Sequence, residues 1–247
     1  MKYSIPLLII LLSFSCRSDR SEITDPQVII DKTIERSGSN IIANSEIQFR
    51  FRDKSYRAKR EQGIFELVRE FEDSTGVIKD VLSNTGLQRF RNETLVLLED
   101  IQASKYASSV NSVHYFAVLP YGLNDSAVKK RYLGMAKIND QNYYKIEISF
   151  HEEGGGEDFE DVFIYWINKS NFYIDYLAYS YNEEDGIGIR FREAFNERFI
   201  NGTRIVDYKN YKPNKDAVTL NDLDTSFERG ELKLLSKIIL EDFEILQ

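Results

Sequence analysis

Cysteine occurs once, at Cys16, and histidine twice, at His114 and His151. A single cysteine permits no internal disulfide. Two histidines leave few ways to build a zinc site or a nucleophile–histidine pair. No Gly-x-Ser-x-Gly elbow occurs, and His151-Glu152-Glu153 runs into Gly154 instead of completing a His-Glu-x-x-His zinc helix. The sequence therefore predicts neither a metal nor a cofactor. A basic block is also missing. The 40 acidic residues outnumber the 32 basic ones, for a net charge of -8. That balance gives no electrostatic footprint for nucleic acid and no attraction to anionic lipid surfaces.

The N-terminal residues are MKYSIPLLIILLSFS, with Cys16 next. One lysine precedes a short apolar run and then small residues, the layout of a secretory signal. The run Ile5–Leu12 falls short of the ~20 residues that a spanning helix needs. Ser15 followed by Cys16 resembles a bacterial lipobox. The lone cysteine then reads as the lipidation site at the start of the mature chain. Residues 1–15 are expected to be a signal peptide, 16–24 the lipidated cysteine and a polar tether, and 25–247 one β-rich domain. Arg17 stands where resembling signals carry an aspartate for inner-membrane retention. An outer-membrane anchor facing the periplasm or the cell surface follows from that resemblance.

Asp25-Pro26 opens a short amphipathic helix that ends at Ser37-Gly38. From Ser45 the apolar period changes to two. Ile47, Phe49 and Phe51 alternate with Gln48, Arg50 and Arg52, and further strands follow to about Leu82. Residues 92–113 lack proline and glycine and are expected to form a long helix, broken or loose near Ser108-Ser109. Residues 127–134 read as a short helix or turn. The second half is a series of strands near 144–150, 161–167, 172–181, 187–195 and 203–211, separated by turns such as Asn201-Gly202. The tail reads as a strand or a docking helix. Together these elements predict a mainly β (α+β) fold.

The stretch HEEGGGEDFEDVFIYWI, residues 151–167, raises the question of a phosphate loop. Such a loop needs a helix N-terminus after its glycines. A β-branched and aromatic run follows instead, so Gly154-Gly155-Gly156 is expected to be a hairpin connection. The acidic residues beside it lack calcium-loop spacing.

The later strands are apolar on both faces, whereas a sheet wet on one side alternates cleanly. Both faces are expected to be covered, one of them by the 92–113 helix and the loop 114–125. An apolar cavity beneath that cover would suit an amphiphilic small molecule. Its candidate lining is His114, Tyr115, Tyr121, Trp166, Tyr176 and Tyr179. Arg190 and Arg192 share a strand face and are candidate clamps for an anionic group. An enzyme reading competes, with His114, Tyr121 and Asp125 as its catalytic candidates. A third reading is a structural or envelope-interaction protein without a ligand.

The blocks HYFAVLPYGLND, AVKKRYLG, EEGGGEDFEDVFIYWI, DYLAYSY and RFREAFN resemble an uncharacterised family of Bacteroidota lipoproteins, which carries no activity over to this chain. The element order, a helix, strands, a helical insertion and more strands, also resembles the LolA lipoprotein-carrier fold. That resemblance implies a curved antiparallel half-barrel covered by helices, with lipid acyl chains held on its concave face. Membrane contact is expected through the N-terminal anchor.

Overall fold

A computed structural model describes residues 22–154, 159–183, 186–214 and 218–246. The expected signal peptide, Cys16, Gly155 and Gly156 lie outside these residues. Helix α1 spans Pro26–Arg36. Asp25 caps it by accepting the Gln27 amide at 2.9 Å, and proline at the first helical position forfeits only a hydrogen bond that no helix makes there. Gly38 closes the segment at φ +64°, and a Cβ there would stand 2.1 Å from the Gly202 carbonyl oxygen.

A meander of six strands follows, β1 (Ser45–Phe51), β2 (Lys54–Glu61), β3 (Ile64–Asp73), β4 (Gly76–Ser83), β5 (Gly86–Arg91) and β6 (Thr94–Val96). Helix α2, Asp100–Ala117, comes next. A second meander runs through β7 (Val128–Ile138), β8 (Gln141–Phe150), β9 (Val162–Asn168), β10 (Ile174–Glu183), β11 (Gly186–Ile200) and β12 (Thr203–Pro213). After the short helix α3, Leu223–Glu228, come β13 (Leu232–Ile238) and β14 (Glu241–Leu246). The strands form two antiparallel seven-stranded sheets, ordered β14-β1-β2-β3-β4-β5-β6 and β13-β12-β11-β10-β9-β8-β7. Ile239 and Leu240 carry the chain from the edge of the second sheet to the edge of the first. Asp207 fixes that crossing by accepting the Leu240 amide at 3.0 Å, and Arg198 donates to the Leu240 carbonyl at 2.6 Å.

Two expectations about elements need correction. The helix predicted over 92–113 starts at Asp100, because Asn92 and Glu93 both take positive φ (47° and 66°) and turn β5 into β6, and it runs unbroken through Ser108-Ser109 to Ala117. Leu95 and Leu97 are exposed instead of forming a helical stripe. A short apolar run has no period that separates strand from helix. Residues 127–134 belong mostly to strand β7, which pairs with β8 along its length and is broken by an irregularity at Gly134. The tail, expected to be a strand or a docking helix, is two strands.

The first sheet is packed on one side. Ile47, Phe49, Tyr56, Ala58 and Leu67 point to a core shared with Val110 and Ala117 of α2. The second sheet is covered on both sides. On its inner face Ile146, Phe163, Tyr165 and Leu177 meet Ile29 and Ile30 of α1. On its outer face Ile164, Trp166, Tyr176, Ala178 and Phe191 meet Leu223 of α3. That doubled burial accounts for the unbroken apolar strands of the second half. β8 and β9 are antiparallel neighbours, as a hairpin connection at the glycine run requires. Gly154, at φ +81°, is its described part.

Candidate functional site

Helix α2 lies over the inner side of the molecule and bears on both sheets. Val110, His114 and Ala117 are its buried residues. Tyr115 and Phe116 turn to the second sheet, where the Tyr115 hydroxyl meets the Tyr165 hydroxyl at 2.7 Å. Burial raises the pKa of Tyr115 well above the usual phenol value, so both hydroxyls stay protonated and share the hydrogen bond.

Two troughs flank the helix. The larger, about 650 Å³, runs between α2 and strands β2 to β5. Its wall is largely apolar, with Ile64, Phe65, Leu67, Leu82 and Leu87 from the sheet and Ala103 and Ala107 from the helix. Its far end reaches Val128 and Phe150. The volume is in the ~300–1,000 Å³ range of small-molecule sites. His114, Tyr115, Tyr121 and Asp125 all line this trough. The second trough, about 560 Å³, runs between α2 and the second sheet, with Phe116, Phe163, Tyr179, Tyr181 and Arg192 on its wall.

Trp166 and Tyr176 are on the other side of the sheet. They are directly paired across β9 and β10, and strand alternation turns them to the outer face, away from Tyr165, Leu177 and Tyr179. Trp166 is fully buried there. Its indole N–H donates to Asp224 at 3.0 Å, and Asp224 also pairs with Lys145 at 3.0 Å. Trp166 therefore reports on α3 and not on either trough. Tyr176 accepts from Asn139 at 3.2 Å.

Arg190 and Arg192 share the inner face of β11 but do not form one clamp. Arg192 stacks on Phe116 at 3.7 Å and donates to the Tyr179 hydroxyl at 2.9 Å. Arg190 lies over the Tyr181 ring at 5.2 Å and donates to the Ile189 carbonyl at 2.9 Å.

His114 is 1% exposed, and its Nε2 donates to the Val68 carbonyl at 3.1 Å. Phe49 and Tyr56 meet its ring edge-on. Burial, followed by the Arg60 cation, holds its pKa down to about 3. The ring is thus a neutral packing group with its donor already committed. Asp125 is exposed at the mouth of the trough.

Sequence reasoning passed over Arg60. It follows Tyr56 and Ala58 on the inward face of β2, where the alternation of KSYRAKRE shows an arginine in an apolar register. No group of three or more histidine, cysteine, aspartate or glutamate side chains able to hold a metal occurs among the described residues.

The fold is LolA-like. A LolA superfamily protein from Nitrosomonas europaea aligns at TM-score 0.51 and 14% identity, covering 92% of this chain and 94% of its own. A DUF1329 family protein from Desulfovibrio piger gives TM-score 0.43 at 12% identity, with 90% and 93% of the two chains covered. A putative outer membrane lipoprotein-sorting protein domain from Vibrio parahaemolyticus gives TM-score 0.43 at 9% identity, with 83% and 100% covered. No curated protein matches the sequence. Over residues 2–241 the chain matches the model described as a family of unknown function, DUF6503, and it belongs to that family.

Proposed function

We propose that this protein is an exported lipoprotein, anchored to the outer membrane through Cys16, that holds an amphiphile in the trough between α2 and the first sheet. The trough itself carries the reading. It is a cavity of about 650 Å³ with a largely apolar wall, roofed by a helix whose trough side presents small residues, Ala103, Ser104, Ala107 and Ser108. Its rim includes Ile64, 71% exposed, an apolar surface that a ligand would cover. The LolA-like fold supports the reading by analogy alone. Burying an acyl chain would contribute ~0.8 kcal/mol per methylene before ordering costs.

The enzyme reading has less support. His114, Tyr121 and Asp125 do border one cavity. However, His114 spends its N–H on a backbone carbonyl and is shielded by two rings.

Native mass spectrometry of protein purified from its own membranes tests the proposal. Masses under native and denaturing conditions separate a bound amphiphile from covalently attached acyl chains. The expected result is an extra mass of a lipid or fatty acid, lost on denaturation. A native mass equal to the denatured one, unchanged after incubation with lipid, would sink the proposal.

A further inference from the structure

Four arginines are buried among the described residues, Arg60, Arg69, Arg192 and Arg204. Arg69 pairs with Asp80 at 2.6 Å. Arg204 pairs with Glu197 and with Asp175. Arg192 donates to Tyr179 and stacks on Phe116. Arg60 differs from all three. It is 8% exposed, and its Nη1 is shut off from solvent with no hydrogen-bond partner. Arg192 also leaves a buried Nε unpaired but donates from Nη2 to Tyr179, whereas Arg60 has no such second bond among the described residues. No described carboxylate pairs with it and no described oxygen accepts from it. Its guanidinium lies 5.4 Å from the centre of the Tyr121 ring.

Its cross-strand neighbours offer nothing either. Ser45 and Phe65 face it from β1 and β3, but the Ser45 hydroxyl is turned to the Ile42 carbonyl at 3.2 Å and makes no bond to the guanidinium. Asp100 and Asp125 border the same trough without pairing with it. A guanidinium has five donors and does not lose its proton in proteins. A buried charge without a counter-ion is costly, and here it stands in the wall of an apolar trough.

We propose that Arg60 receives the anionic headgroup, a carboxylate or phosphate oxygen pair, of a single-chain amphiphile whose tail lies along α2. This proposal rests on the amphiphile reading above and adds the charge of the ligand. Guanidinium and carboxylate or phosphate match as parallel donor and acceptor pairs. Tyr121 covers one side of the group, and the leucines of β3 to β5 take the chain. Arg60 is thus a specificity determinant, selecting acids over neutral lipids.

The test uses the full chain and displacement of N-phenyl-1-naphthylamine, an uncharged apolar probe. Palmitate, 1-hexadecanol, lysophosphatidic acid and inorganic phosphate are the competitors. Palmitate or lysophosphatidic acid is expected to displace the probe at least ~10-fold more tightly than hexadecanol, the size of one charge-assisted hydrogen bond. Whichever acid binds more tightly identifies the headgroup. Arg60→Gln should shrink that preference to under ~3-fold, and Arg60→Lys should retain part of it because it keeps the charge and loses the fork. Arg60→Gln should also melt no lower than the parent, since it removes an unpaired buried charge. Equal binding of palmitate and hexadecanol by the parent overturns the headgroup role and leaves the amphiphile reading standing. Equal weakening of both by Arg60→Gln assigns Arg60 to cavity shape and also overturns it. Competition by inorganic phosphate alone points to a free anion and overturns it likewise. If no amphiphile displaces the probe, both readings fall. Should Arg60→Gln not fold, the comparison of parent with Arg60→Lys decides.

Discussion

His114 shows how one side chain ties a cavity wall to the pH dependence of the whole fold. Its imidazole is held neutral down to about pH 3, mainly by burial and then by the cation of Arg60. In the unfolded chain it takes up a proton near pH 6.5. Between those values the unfolded state binds the extra proton, so its contribution is complete above pH 6.5 and is lost as the pH falls. The slope is on the order of 1.4 kcal/mol per pH unit. Asp175 carries a pKa raised by burial and acts in the opposite direction. A series of chemical melts from pH 6.5 to 5 isolates the histidine. His114→Gln is expected to be less stable than the parent at pH 7 but flatter across that range. Equal slopes in parent and variant would place the proton uptake elsewhere. Much of this was hidden in the sequence, where His114 looked like a loop residue at a pocket rim. It sits in the last turn of α2 because the helix begins and ends later than its apolar pattern suggests.

At the scale of elements, α2 is held to the first sheet by charge as well as by packing. Asp80 of β4 is fully buried and binds Arg69 of β3 and Arg89 of β5, each at 2.6 Å. Arg69 donates onward to Ser109 of α2 at 2.7 Å. Arg89 lies over the Tyr106 ring of α2 at 3.3 Å. One carboxylate thus neutralises two cations and sets the height of the helix above the sheet. Asp80→Asn would leave those cations facing each other in a largely dry place. The expected loss is ~3–5 kcal/mol by denaturant unfolding, with faster amide exchange over α2. A loss under ~1 kcal/mol would mean that water already screens the network. The same network explains why α2 was hard to read. Its middle, ASSVNSV, faces charged groups and two troughs instead of one apolar core, so it lacks the broad apolar stripe of a core helix.

At the scale of the whole molecule, no described helix is long and apolar enough to cross a membrane, and the net charge of -8 gives no attraction to anionic lipid. Membrane attachment therefore depends on Cys16 in our proposal. Cys16→Ser is expected to move the protein from the membrane fraction to the soluble fraction after a salt wash, because stable anchoring needs two or more acyl chains. A variant that still sediments with outer membranes would refute the anchor and require another contact.

The sequence by itself determined the two runs of antiparallel strands, the capped helix after Asp25 and the hairpin turns. Period-two alternation, proline at a first helical turn and residues tolerant of positive φ act locally, so they can be read locally. It also carried the double burial of the later strands, because apolar residues on both faces need two covers. Only the tertiary structure decided which cover lies on which face. Trp166 and Tyr165 are adjacent in sequence, yet one belongs to α3 and the other to the space under α2. Only the fold could show that Asp80 serves two arginines while Arg60 has no carboxylate partner among the described residues. Charge pairing depends on distances across strands, and sequence spacing does not contain them.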